Sequence, residues 1–297
     1  MSPEAPSSPP SAPLTVRAVR DGLAAVLLRA GVPDSEVDAE LLIGHVLGEG
    51  RGRVQALIHM DSTIDGADAE RIRELGERRA AREPLQHITG RAPFRSLELA
   101  VGPGVFVPRP ETEQVVQFAI DALRAVPSAE PVAVDLGTGS GAIALAMATE
   151  VPHARVFAVE NSPEAFIWAR RNIEETGAAN ARAVFIDLAD ALPDLDGRVD
   201  VVISNPPYIP AAAIPRDPEV RLFDPPAALY GGEDGLDVVR TISQVARRLL
   251  HPGGTLVLEH GELQGADIRA LLSADGWRAP ATHPDLTTRD RTTTAIR

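Results

Sequence analysis

An α/β protein built on a doubly wound, mostly parallel sheet, preceded by a small all-helical domain, is the architecture this sequence predicts. Three observations carry that prediction. From Pro131 onward, short apolar β-branched runs alternate with amphipathic helical stretches, the pattern of a parallel sheet with helices on both faces. A glycine-rich turn, Gly137-Thr-Gly-Ser-Gly141, stands where the first of these runs passes into its helix. A later run, Val199–Ser204, stops abruptly at Asn205-Pro-Pro-Tyr208, where two prolines fix φ and remove two N–H donors.

The chain begins with Met1 to Pro13, rich in Pro and Ser. It has neither a basic start nor an apolar core, so it is no secretory signal, and residues 1–13 read as a disordered tail. Residues 14–83 predict a helical domain. Thr15 can cap a helix carrying Val16, Val19, Leu23, Val26 and Leu27, stopped by Gly31. Ser35 with Asp38 resembles a capping arrangement for a second helix through Leu47. Val54–Met60 is a shorter helical piece, and Asp65 can cap a charged helix from Ala67 to about Arg82. This domain holds no cluster of acids and bases, which points to recognition rather than chemistry.

Residues 84–110 change character. Ile88-Thr-Gly-Arg and Leu97-Glu-Leu-Ala-Val alternate like strands, so a β-hairpin linker is expected, running into Val105-Phe-Val107. A helix through about Arg124 then opens at Glu111, behind Pro108-Arg-Pro110 and with acids in its first turn. Residues 111–297 form the main domain. Seven strands are expected: Val132–Leu136, Arg155–Val159, Ala183–Ile186, Val199–Ser204, Thr255–Glu259, Trp277–Thr282 and Thr292–Ile296. Helices are expected at Ala142–Thr149, Pro163–Thr176 and Leu236–Leu250. No crossover helix separates the last two strands, so they should be antiparallel.

Bulk properties exclude several functions. A formal net charge of −13 opposes loose binding to phosphate backbones or anionic membranes, so no direct nucleic-acid or membrane partner is expected. With no Cys, disulfides, thiolate metal sites and Cys nucleophiles are ruled out, and the scattered His residues lack metal-ligand spacing; no metal is expected. No stretch approaches membrane-span length. A cytoplasmic monomer is the default.

The chemistry gathers at strand ends. Glycines at 137, 139 and 141, with Thr138 and Ser140 between them, let a backbone approach a ligand and free helix N–H groups. Glu160 ends the next strand, where a carboxylate suits a ribose diol. These glycines with Ala142 also fit the loose dinucleotide pattern. Asp135 tilts the choice, since it would repel a pyrophosphate and welcome a cationic amine. In a doubly wound sheet the first and fourth strands flank the switch point, which sets Gly137–Gly141 beside Asn205–Tyr208. One turn would hold a cofactor and the other a substrate amine or amide. Asp187, at the tip of the third strand, could reach an adenine amino group. Ser140 is not in a G-x-S-x-G elbow, and there is no P-loop lysine. Gly231-Gly-Glu-Asp-Gly235 lacks EF-hand spacing and reads as the loop entering the Leu236 helix.

At this point a family is visible. Asp135-Leu-Gly-Thr-Gly-Ser-Gly141 resembles the first motif of class I S-adenosylmethionine-dependent methyltransferases. Asn205-Pro-Pro-Tyr208 resembles the signature of methyltransferases acting on planar nitrogen. They occur with Arg82-Glu-Pro-Leu85, Gly90-Arg, Phe106-Val-Pro-Arg-Pro-Glu-Thr-Glu113, Gly231-Gly-x-x-Gly-Leu-Asp237 and Leu258-Glu-His-Gly261. That set, behind a small helical domain, is similar to the release factor glutamine methyltransferases from about residue 15 onward.

The resemblance implies a Rossmann-like class I methyltransferase sheet, S-adenosylmethionine as cofactor, and bacterial class-I peptide release factors as partners. The reaction would be N5-methylation of glutamine in their Gly-Gly-Gln motif. It places the cofactor on Gly137–Gly141 and Glu160 with Leu188 near the adenine, and the glutamine against Asn205, Pro206, Pro207 and Tyr208, with Phe106 closing on its methylene stem. Leu188 offers no ring for stacking on adenine, and the end of the chain, Arg289-Asp-Arg-Thr-Thr-Thr294, departs from the family pattern. The expected catalytic roles fall to Asn205 Oδ1 and the Pro206 carbonyl, which would accept the two amide hydrogens, and to Tyr208, which would pack on the planar amide. Three rivals are an adenine-N6 methyltransferase, opposed by the acidic charge; a nicotinamide-dependent oxidoreductase, opposed by the lack of a hydride-site acid or base; and a non-catalytic adaptor.

Overall fold

The computed structural model describes residues 14–297; the expected tail, residues 1–13, lies outside them. The described chain divides into two compact units, one ending at Thr89 and one running from Gly90 to Arg297.

The first unit contains α1 (Val16–Arg29), α2 (Ser35–Leu47), α3 (Arg51–His59), α4 (Gly66–Ala80) and α5 (Leu85–Thr89). Thr15 and Asp65 cap as their positions predict, accepting from the Ala18 and Ala67 N–H groups. The expected cap of α2 is different. Ser35 lies inside the helix, the N-cap is Asp34 without a side-chain bond, and Asp38 pairs instead with Arg79 of α4 at 2.7 Å, both buried. Leu23, Leu27, Leu42, Ile43, Val54 and Ile72 meet in the core of this unit. Ile88 and Thr89 also correct the sequence reading, because they close a helical turn and not a strand.

The second unit opens with a hairpin, β1 (Arg91–Phe94) and β2 (Leu97–Ala100), paired antiparallel from Arg91–Ala100 to Phe94–Leu97. Val105–Val107 has no strand partner. Next come α6 (Pro110–Ala125), β3 (Val132–Leu136), α7 (Ala142–Glu150), β4 (Arg155–Glu160), α8 (Pro163–Thr176), β5 (Ala181–Phe185) and β6 (Val199–Ser204). The chain ends with α9 (Pro218–Phe223), α10 (Pro226–Leu229), α11 (Asp237–Leu249), β7 (Leu250–Glu259), α12 (Gly265–Ala274), β8 (Arg278–Pro284) and β9 (Asp290–Ile296).

Seven strands form one sheet in the order β5-β4-β3-β6-β7-β9-β8. The first five are mutually parallel, while β9 runs antiparallel to both β7 and β8. Period-two alternation explains the two cores. Ala133, Val156, Ala158, Val201, Ile203 and Val257 face α6 and α7, whereas Val132, Val134, Val159, Val202, Leu256 and Leu258 face α11 and α12. Several boundaries moved: β5 starts two residues early and excludes Ile186, β7 begins at Leu250 rather than Thr255 and takes that residue from α11, and Trp277 is a buried core residue ahead of β8. Helix α12 was not expected. The strand order reverses direction between β3 and β6, and the site lies over the carboxyl ends of these neighbours.

Candidate active site

The turn after β3 is shaped by three glycines at φ +75°, +59° and +86° for Gly137, Gly139 and Gly141. A side chain held in that region costs about 1–2 kcal/mol. The turn is closed on itself. Gly137 and Thr138 both donate N–H bonds to the Val159 carbonyl at 2.9 Å, Gly139 donates to Glu160 Oε2 at 2.8 Å, and Gly141 donates to the Thr138 carbonyl at 2.9 Å. These four N–H groups of the turn are therefore bonded within the protein.

Asp135 is also placed differently from the expectation. It is fully buried beneath the turn and is not part of the cavity wall. Its Oδ2 accepts from the Thr138 hydroxyl at 2.5 Å and from the Ala144 N–H at 3.2 Å, tying the turn to the start of α7. Burial pushes its carboxyl up to about 7 against the opposing pull of those bonds. Gly141 likewise stays behind the wall, as the left-handed N-cap of α7.

The turn after β6 is held by side chains and loops from elsewhere. Ser204 Oγ donates to the Leu136 carbonyl at 2.6 Å, coupling the ends of β6 and β3. Asn205 Nδ2 donates to Thr112 Oγ1 of α6 at 3.3 Å. The Tyr208 carbonyl accepts from Gln264 Nε2 at 2.9 Å. Beyond it, Ile209 and Tyr230 form a parallel bridge. The Gly231–Gly235 loop packs so tightly that a Cβ on Gly231 would lie 2.3 Å from the Pro207 carbonyl oxygen, and one on Gly235 would lie 2.3 Å from that of Tyr208. Burial, then the nearby Glu259 carboxylate, pushes the Tyr208 phenol up to about 12, so it stays neutral.

Both turns open into one cavity of about 1160 Å³. That exceeds the usual space for one small ligand and leaves room for a cofactor and a substrate side chain together. Gly137, Thr138, Gly139 and Ser140 form one wall, and Asn205, Pro206, Pro207 and Tyr208 another. Phe106, Glu160, Asp187 and Leu188 complete the set expected from sequence. Glu160 Oε1 accepts the Asn161 and Ser162 N–H groups at 3.0 and 2.9 Å, while its Oε2 holds Gly139. A carboxylate has further lone pairs for a diol. Asp187 accepts from the Ala189 N–H and from Asn161 Nδ2, bonds that hold its carboxyl below the ordinary value.

Sequence reasoning missed several members of the site. Arg109 lies 4.7 Å over the Phe106 ring and pairs with Asp224 at 2.6 Å. Burial pushes Asp224 up to about 6, with Arg109 pulling the other way. Thr112 and Glu259 meet near Asn205. The segments Phe106–Glu113 and Leu258–Gly261 stand out as patterns in the sequence, but nothing in their spacing assigns these side chains a task.

The site fits a cationic methionine derivative better than a dinucleotide. Four N–H groups of the glycine turn are bonded within the protein, and the adjoining walls carry the carboxylates of Glu160 and Asp187, which oppose a pyrophosphate. Open space at Gly137 and Gly139, where an added Cβ would meet nothing within 4 Å, is the cradle such a ligand requires.

Comparison with known proteins agrees with this geometry. Residues 19–90 match the PrmC N-terminal domain and residues 97–223 the methyltransferase small domain. The chain is 52% identical to a release factor glutamine methyltransferase of Streptomyces coelicolor, over 91% of this chain and 93% of the relative. It is 41% identical to a 4-amino-L-phenylalanine/4-methylamino-L-phenylalanine methyltransferase of Streptomyces pristinaespiralis, over 89% and 88%. A methyltransferase structure from Pyrococcus furiosus shares the fold, with 23% identity, a TM-score of 0.50 and coverage of 68% of this chain and 89% of that one. The sheet, its two facing turns and similarity along nearly the whole length lead to one assignment: this chain belongs to the release factor glutamine methyltransferase family.

Proposed function

We propose that this protein transfers a methyl group from S-adenosyl-L-methionine to the N5 amide nitrogen of glutamine in the Gly-Gly-Gln motif of class-I peptide chain release factors, and so modulates translation termination. The observation that carries this reading is the single cavity walled on one side by Gly137–Ser140 and on the other by Asn205–Tyr208. A cytoplasmic, monomeric enzyme without direct nucleic-acid contacts belongs to the same proposal.

Bound in the cradle, the cofactor supplies an electrophilic sulfonium methyl. Gly137, Gly139 and the Glu160 carboxylate would hold it, with Asp187 and Leu188 available to its adenine. An amide nitrogen is a poor nucleophile because its lone pair is delocalised into the carbonyl. Asn205 Oδ1 and the Pro206 carbonyl accept the two amide hydrogens, fix the nitrogen and favour density directed away from the acceptors. Pro206 has no N–H to compete, and its ring stiffens the carbonyl. Tyr208, neutral and largely buried, packs on the amide plane. Acceptors held in place before the reaction need no reorganisation as charge develops. The surplus amide proton leaves through these acceptors to water.

The aromatic-amine relative supplies the competing substrate. Incubating the protein and S-adenosylmethionine with a release factor, and separately with 4-amino-L-phenylalanine, followed by mass analysis, tests the reading. One added methyl on the Gly-Gly-Gln glutamine is expected. Methylation of the free aromatic amine alone would replace the proposed substrate and leave the reaction class standing.

A further inference from the structure

The buried carboxylate of Glu259 takes no direct part in the reaction above, yet it sits behind the residue that does. Glu259 ends β7 with 1% of its surface exposed. Leu258 pairs in register with Ser204, so Glu259 and Asn205 follow side by side, and the Thr112 hydroxyl and the Asn205 carboxamide lie close enough to lower the Glu259 pKa. Asn205 Nδ2 also donates to Thr112 Oγ1. Glu259 Oε2 keeps no hydrogen-bond partner of its own. A fully buried acid thus lies against two neutral polar side chains, Thr112 and Asn205, that are bonded to each other.

We propose that Glu259 is a positioning residue for Asn205, acting directly and through the Thr112 hydroxyl to fix which end of the Asn205 carboxamide faces the cavity. This rests on the reading of Asn205 as acceptor for a substrate amide. The logic is one of hydrogen-bond polarity. An ionised carboxylate only accepts, so the Thr112 proton points to Glu259, and the Thr112 oxygen must then accept from Asn205. That commits Asn205 Nδ2 to the protein and turns Oδ1 to the cavity, where a substrate –NH2 needs an acceptor. A neutral group at 259 can donate to Thr112. The chain can then reverse, the Asn205 carboxamide can turn over, and its own –NH2 would confront that of the substrate.

The same argument makes protonation of Glu259 inhibitory. Burial pushes its carboxyl up to about 7, against the pull of the nearby Thr112 hydroxyl; Glu111 adds to the rise, while Arg291 and the Asn205 carboxamide oppose it. The groups around it are Glu111 and Thr112 from α6, Arg291 from β9, Tyr208 beyond β6 and His260 next in the chain. His260 is occupied by Thr293 Oγ1 and the Gly261 carbonyl, and burial holds its pKa below the ordinary value.

The test uses the full chain carrying Glu259→Gln, and separately Thr112→Val in case the first variant folds poorly. Turnover with a release factor should fall about 10- to 100-fold in either variant, with KM and cofactor affinity changed by less than about threefold. The double variant should be no worse than the poorer single variant. The wild-type kcat should decline as pH falls through the Glu259 transition, and this limb should vanish in Glu259→Gln. A second readout needs no turnover: in the ligand-free protein, the Asn205 side-chain NH2 resonances in a 15N spectrum should shift with that same transition and lose the response in Glu259→Gln. Wild-type kcat and an intact acid limb in Glu259→Gln overturn the proposal and leave the glutamine reading untouched. If the wild type methylates no glutamine, that reading falls, and an Asn205 resonance that ignores pH overturns the positioning role independently.

Discussion

The two turns that face the cavity both depend on glycine, for opposite reasons. Around Gly137 and Gly139 an added Cβ would meet nothing within 4 Å, so there the missing side chain leaves room for a ligand. At Gly231 and Gly235 it would strike the Pro207 and Tyr208 carbonyl oxygens, so there it leaves room for the protein's own backbone. The first turn is held from within, by Asp135, Glu160 and its own N–H groups. The second has little of its own beyond two prolines and is braced by Thr112, Glu259, Gln264 and the Gly231–Gly235 loop. A cofactor cradle can thus be a local structure, whereas the substrate clamp is assembled from four distant parts of the chain.

If that contrast holds, damage at the two turns should separate substrate chemistry from cofactor binding. The largest effect is expected for Asn205→Ala. Removing one preorganised acceptor should lower turnover by about 10²- to 10³-fold. Cofactor affinity, measured by calorimetry, should change by less than about threefold, because the opposite wall is intact. Turnover within about twofold of wild type would remove Asn205 from the mechanism.

A smaller effect is expected at the brace. Gly235 has φ +79° and its Cβ would lie 2.3 Å from the Tyr208 carbonyl oxygen, so Gly235→Ala meets both backbone strain and a clash with atoms that cannot swing away. The cost in stability should be about 2–4 kcal/mol, read from the denaturation midpoint. Turnover should fall by about tenfold as Tyr208 shifts, again with cofactor affinity nearly unchanged. Loss of cofactor binding instead would show that the two turns do not act separately.

How much of this could be read from the sequence follows the same division. The strand Val199–Ser204 and the helix Pro163–Thr176 agree to the residue, because breakers and caps mark their ends: Asn205-Pro-Pro, Ser162-Pro163 and Gly177. The first turn was legible because its whole apparatus lies within Asp135–Ala144 and Glu160. Even so, the role of Asp135 was misjudged: whether a carboxylate lines a cavity or supports it from behind is a matter of burial, and spacing does not report burial. The Glu259–Thr112–Asn205 contact joins three positions far apart in the chain, brought together by the pairing of β6 with β7 and the packing of α6 over them. Helix α12 went unseen because Gly265 to Ala274 begins without a capping side chain. Ile88 and Thr89 looked like a strand because two apolar-polar steps fit a short helical turn equally well.

The smallest effect on stability, and the most informative about the cradle, belongs to Gly137→Ala. Nothing obstructs the new methyl group in the protein alone, so only the φ of +75° is penalised, at about 1–2 kcal/mol. A methyl there occupies the space the glycine leaves open beside the cavity. Cofactor affinity should therefore fall by about tenfold or more, while turnover at saturating cofactor falls less, the reverse of the pattern at Gly235 and Asn205. Should Gly137→Ala bind cofactor as tightly as wild type, the open space at that turn would belong to solvent, and the glycine would serve only to let the chain bend over the buried Asp135. The contrast between a glycine kept for a ligand and a glycine kept for a neighbouring backbone would then reduce to one reason, since both turns would need glycine for the fold alone.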